Sequence, residues 1–132
     1  MFGGGINAKR ILILDDDNFF LSFTKDLLQA VGYEIKIANN LLDFETDLRK
    51  WKPDLILSDI HMPDIQGDKL CTSLKKFFGD DVPIMIVSAD GDKIKELEEA
   101  QEFDACLNKN DLTARLLPMV ETLLRDRRSS DY

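Results

Sequence analysis

Cysteine is scarce in this chain. Cys71 and Cys106 are the only two, far apart, with no histidine or further cysteine at zinc-binding spacing. A disulfide framework and a cysteine zinc site are therefore excluded. Each thiol reads as a buried, reduced side chain, which points to the cytoplasm. Long apolar runs are absent too: none approaches the roughly 18 residues needed to cross a bilayer, so no membrane role is expected. The glycine-rich start, Met1 to Arg10, lacks the apolar stretch of a secretory signal. Basic residues are outnumbered, 17 against 25 acidic ones, for a net charge of −8. That balance argues against nucleic acid as a direct partner. The basic cluster Arg125, Arg127 and Arg128 ends a helical pattern, where cations complement the helix dipole.

What is present reads as one globular domain: 132 residues, 44% hydrophobic and 32% charged. Short aliphatic runs alternate with helical patterns five times. The expected strands are Ile11–Leu14, Glu34–Ala38, Leu55–Ser58, Ile84–Val87 and Ala105–Leu107. Several are apolar almost throughout, as parallel strands covered on both faces require. The expected helical stripes are Phe20, Phe23, Leu27 and Val31; Leu41, Phe44, Leu48 and Trp51; Leu70, Leu74, Phe77 and Phe78; and Leu116, Val120, Leu123 and Leu124. A weaker stripe, Ile94, Leu97 and Ala100, lies within Asp92–Gln101 among many charges. Gly32 and Gly79 stand where helix ends call for a left-handed residue. Pro118, inside the last stripe, predicts a kink or a break. Five strand–helix units with short connections imply an α/β fold with an open, doubly wound sheet. Residues 1–8 read as a flexible leader, 9–126 as the domain and 127–132 as a tail.

The chemistry collects where strands end. In such sheets ligands bind outside the carboxyl ends of the strands. After the first expected strand come Asp15, Asp16 and Asp17; after the third, Asp59; after the fourth, Ser88; soon after the fifth, Lys109. Clustered carboxylates repel, by about 4 kcal/mol for a pair 4 Å apart at an effective dielectric of 20. A divalent cation removes that repulsion, and hard oxygen ligands suit Mg²⁺. The ion also screens an incoming phosphoryl group, a carboxylate can serve as nucleophile, and Lys109 can offset charge on the transferring oxygens. Ser88 can hydrogen-bond a phosphoryl oxygen. Which carboxylate is the nucleophile is left open by spacing alone. Asp17 reads more simply as the N-cap of the first helix.

The run from Ile11 through Asp15, Asp16 and Asp17 resembles the opening of bacterial two-component response-regulator receiver domains. Asp59 to Gly67, with Met62-Pro63 between, resembles their phosphoacceptor loop. Val87-Ser88-Ala89 and Lys109 fall where that family carries its hydroxyl residue and lysine. The resemblance runs from Lys9 to about Arg125. It implies a five-stranded, flavodoxin-like (βα)5 fold. It also implies that Asp59 takes a phosphoryl group from a sensor histidine kinase or a histidine phosphotransfer domain. Mg²⁺ would be bound by Asp16, Asp59 and the backbone carbonyl of His61, with Asp15 acting mainly through a water on the ion. Ser88 and Lys109 would read the phosphoryl oxygens. The protein would then be a phosphorylation-dependent binding switch for a further protein, monomeric or weakly dimeric, and not an enzyme acting on external substrates. A lone histidine, His61, makes a poor phosphodonor, which argues against a kinase.

Two positions depart from the family pattern. Asn110 follows Lys109 where proline is usual, which predicts a trans peptide, because cis without proline costs about 2.5–4 kcal/mol. Cys106 stands where Tyr or Phe is usual and is too small to act as the same rotamer switch, so coupling from Ser88 is expected to be weak or rerouted. His61 and Asp90, each two residues beyond a site residue, could influence hydrolysis of an acyl phosphate, although solvent-facing roles are simpler. The alternatives are a pseudo-receiver that binds without switching and a Mg²⁺-dependent phosphatase of the haloacid dehalogenase type. The latter normally has an acid two residues after its nucleophile, where His61 stands here.

Overall fold

The computed structural model describes residues 8–62, 65–66, 81–101 and 103–129, with the backbone alone at 61–62, 65–66 and 126–129. The stripe Leu70, Leu74, Phe77 and Phe78 lies outside them, as do Gly79 and Cys71. Five strands form one parallel sheet: β1 (Arg10–Leu14), β2 (Glu34–Ala38), β3 (Leu55–Ser58), β4 (Ile84–Ser88) and β5 (Ala105–Asn108). Their order is β2-β1-β3-β4-β5. The order reverses direction between β1 and β3, so a crevice opens beyond the carboxyl ends of those two strands. A two-residue antiparallel pair, His61–Met62 with Ile65–Gln66, follows β3.

Burial explains why the middle strands are apolar throughout. β3 and β4 are buried at every position, and β1 at its last four, while the edge strands β2 and β5 are buried in part. Alternate residues face opposite sides of the sheet. Leu12, Leu14, Ile56 and Ile86 join one core with Phe44 and Leu48 of α2 (Leu41–Trp51) and Ile94 and Leu97 of α3 (Gly91–Ala100). Ile11, Ile13, Leu57 and Val87 join the other with α1 (Asn18–Gln29) and α4 (Leu112–Ser129).

Helix starts are set by side-chain caps, each worth about 1 kcal/mol. Asp17 accepts the N–H groups of Phe19 and Phe20 at 3.0 and 3.2 Å. Asn40 accepts from Asp43 and Asp90 from Lys93. Gly32 takes φ +104° just past α1, a value that suits glycine alone.

Two expectations need correction and a third is narrowed. The buried face of α1 is Phe20, Leu21, Thr24 and Leu28, whereas Phe23 and Val31 are exposed. Both faces carry apolar residues, so periodicity alone could not orient the helix. Ala100 is likewise exposed. Of the kink or break expected at Pro118, the break does not occur: α4 runs from Leu112 to Ser129. Proline removes a single amide there. Ala114, whose carbonyl would have accepted it, faces solvent, while Leu116 and Val120 stay buried on either side.

Candidate functional site

The parallel register brings the ends of four strands together. Leu14 pairs with Ser58, Ser58 with Ile86, and Ser88 with Asn108, so the residues that follow β1, β3 and β5 emerge at one rim beside Ser88, the last residue of β4. The chain is held there by its own amides. Asp15 N donates to the Ala38 carbonyl at 3.2 Å, and Asp59 N to the Leu14 carbonyl at 3.0 Å.

Asp15, Asp16 and Asp59 each offer a carboxylate oxygen, and these oxygens all lie within 4.8 Å of one another. Asp15 and Asp59 are buried and Asp16 is exposed. Lys109 Nζ reaches 2.7 Å from Asp15 Oδ2 and 3.4 Å from Asp59 Oδ2. Among the described residues, three carboxylates meet one ammonium, so negative charge is in excess there when all are ionised. At these separations each like-charge pair costs several kcal/mol at an effective dielectric of about 20. Hard oxygen donors, excess negative charge and an exposed third acid suit a hard divalent cation.

The electrostatics follow from burial. Burial pushes the Asp15 carboxyl up to about 6 from 3.8, helped by the charge of Asp59 and opposed by Lys109 and the Asp17 amide. That amide donates to Asp15 Oδ1 at 2.9 Å. Burial works against the charge on Lys109, but the Asp15 and Asp59 carboxylates outweigh it and raise the ammonium above its ordinary value. The lysine is therefore held as a cation.

Ser88 is fully buried, and its Oγ accepts the Asp90 N–H at 3.1 Å, leaving the hydroxyl proton to donate. Asp17 caps α1, the simpler of the roles expected of it, and Asp90, expected to face solvent, is exposed but caps α3 with its side chain. His61 follows Asp59 and Ile60, with its backbone paired to Gln66; its side chain lies outside the described set. No peptide bond is cis among the described residues. Lys109 opens a 3-10 turn, Lys109–Asp111, in which Asn108 Oδ1 accepts the Asn110 N–H at 2.9 Å. Proline has no such proton to give. Cys106 lies in the core with Ile94 and Leu97.

One contact was not foreseen. Lys109 Nζ sits 4.2 Å from the centroid of the Phe20 ring. Phe20 read as a core residue, and with Lys109 distant in sequence no local pattern could pair them.

A family model described as the response regulator receiver domain matches residues 11–121. Among curated relatives, the transcriptional regulatory protein PrrA of Mycobacterium leprae is 31% identical over 93% of this chain and 53% of its own length. An uncharacterized transcriptional regulatory protein, YvcP of Bacillus subtilis, is 35% identical over 67% of the chain and 36% of its own. The chain thus spans about a third to about half the length of these relatives. Among solved structures, a CheY-like receiver domain protein from Methanospirillum hungatei superposes with TM-score 0.83 at 26% identity, covering 94% of this chain and 99% of that one. The response regulator TrrA of Thermotoga maritima, solved in complex with Mg²⁺ and BeF, gives 0.73 at 31% identity over 88% of this chain and 99% of that one. Sheet order, acidic rim and a match across most of the length agree, and the chain belongs to the response regulator receiver domain family.

Proposed function

We propose that this receiver domain takes a phosphoryl group onto Asp59 from a phosphohistidine of a sensor histidine kinase or phosphotransfer domain, with Mg²⁺ bound, and acts as a phosphorylation-dependent binding switch in the cytoplasm. The observation that carries this reading is Lys109 Nζ lying between Asp15 and Asp59, beside a third carboxylate, at the switch point of the sheet. An Asp59 oxygen attacks phosphorus; the new P–O bond forms as the P–N bond breaks, and the electron pair leaves with the imidazole nitrogen. Lys109 offsets charge on the transferring oxygens, and Ser88 donates its hydroxyl proton to one of them. Asp15, Asp16, Asp59 and the His61 carbonyl would hold Mg²⁺, which neutralises the carboxylates and screens the incoming phosphoryl charge.

The phosphoryl group brings roughly 1.5–2 negative charges at pH 7 and new acceptor oxygens. Moving a population from 1:99 to 99:1 takes about 5.5 kcal/mol of such bias. With Cys106 in place of an aromatic, we expect that bias to pass weakly from Ser88 or to travel by another route. The complete set Asp15, Asp16, Asp59, Ser88 and Lys109 speaks against an inert module.

The test is mass spectrometry after phosphotransfer from a panel of histidine kinases and, separately, after incubation with phosphoramidate and Mg²⁺. Label is expected on Asp59 and lost in Asp59→Ala. Label on another residue, persisting in that variant, refutes the assignment.

A further inference from the structure

Lys109 has to bridge the acceptor carboxylate and a phosphoryl oxygen, yet its shortest contact is to a different acid, Asp15, at 2.7 Å against 3.4 Å to Asp59. With carboxylates alone around it, the ammonium would settle on whichever acid lay nearest. The third wall of its position is the Phe20 ring, 4.2 Å away and well inside the range in which a ring face attracts a cation. An aromatic face draws positive charge without accepting a proton and with weak directionality. The ammonium can therefore slide from Asp15 toward Asp59 while staying over the ring.

Phe20 is itself firmly placed. Its side chain is buried, its N–H bonds to Asp17 Oδ1, and the Asp17 N–H bonds to Asp15 Oδ1. One short segment thus sets both the carboxylate and the ring that face the lysine. We propose that Phe20 is a positioning residue for phosphoryl transfer, its ring face holding the Lys109 ammonium where it can serve Asp59. The proposal rests on the phosphoacceptor reading above.

The experiment introduces 4-fluoro-, 3,5-difluoro- and 3,4,5-trifluorophenylalanine at position 20 of the full chain. These keep the shape and apolar character of the ring while progressively withdrawing negative charge from its face. With phosphoramidate and Mg²⁺, the rate of Asp59 labelling is expected to fall in graded steps, reaching about fivefold with three fluorines, while thermal stability does not fall. In a Lys109→Met background the gradation should vanish. Without any phosphodonor, the Lys109 ε-methylene protons should be shifted upfield by the ring current in NMR spectra, and Phe20→Leu should abolish that shift. A merely apolar role would leave rates flat across the series. Flat rates with Asp59 labelled overturn the role of Phe20 alone, as does a gradation that survives Lys109→Met or an absent upfield shift. Failure of the unmodified chain to label Asp59 overturns the phosphoacceptor reading and this role with it.

Discussion

Replacing Asp15 by asparagine should stabilise the metal-free protein, although it removes an ion pair. The Asp15 carboxyl is fully buried and pushed up to about 6 from 3.8, chiefly by that burial. Holding it ionised in the folded state at neutral pH therefore costs about 3 kcal/mol relative to the unfolded chain. Asparagine has no charge to bury and can still accept the Asp17 N–H through its oxygen. Its NH₂ group, however, faces the Lys109 ammonium, which offsets part of the gain. A net gain of about 1–2 kcal/mol remains, or about 3–8 °C in Tm for a chain of this size. The sign with pH follows from linkage. A carboxyl whose folded pKa is raised costs nothing below pH 3.8, where both states are protonated. The cost grows as pH rises toward 6 and then levels off. The advantage of Asp15→Asn should thus be absent near pH 3.5 and complete by about pH 7. Urea denaturation in EDTA across this range measures it. A variant less stable than wild type at pH 7.5, or a gain independent of pH, would refute the reasoning. Millimolar Mg²⁺ should narrow the gap by stabilising wild type preferentially.

Three further outcomes are expected. Asp17→Ala removes the acceptor for two amides at the start of α1 and should cost about 1 kcal/mol, read from the urea midpoint; an unchanged midpoint would count against the cap. Asn110→Pro restores the usual family residue but removes the N–H bonded to Asn108 Oδ1, so it should cost about 1 kcal/mol rather than stabilise. Burial, reinforced by Glu98, pushes the Cys106 thiol up to about 11. In a Cys71→Ser variant, iodoacetamide at pH 8 should therefore react about a hundredfold more slowly than with an ordinary thiol, and reaction at an ordinary rate would contradict the burial.

The strands were legible because parallel strands covered on both sides must be apolar at consecutive positions. Ile11–Leu14, Leu55–Ser58 and Ile84–Val87 match β1, β3 and β4 to within one residue at either end. Asp17 was legible as a cap because a short acid before a helical pattern has little else to do. The orientation of α1 was not. Phe19 and Phe23 stack on its exposed side, ring centroids 6.4 Å apart, so hydrophobicity points two ways and packing against the sheet decides. Pro118 leaves the helix unbroken for a related reason: local sterics predict a kink or a break, but buried neighbours on both sides hold the turn.

Residue types and their spacing along the chain determined the alternation of strand and helix, and with it an acid, a hydroxyl and an ammonium at successive strand ends. Those are local properties, written in periods of two and of three to four residues. The tertiary structure alone decided that Lys109 meets Asp15 more closely than Asp59 and lies over Phe20. Side chains distant in sequence acquire a separation only once the sheet has set its register, and local pattern carries no record of that register.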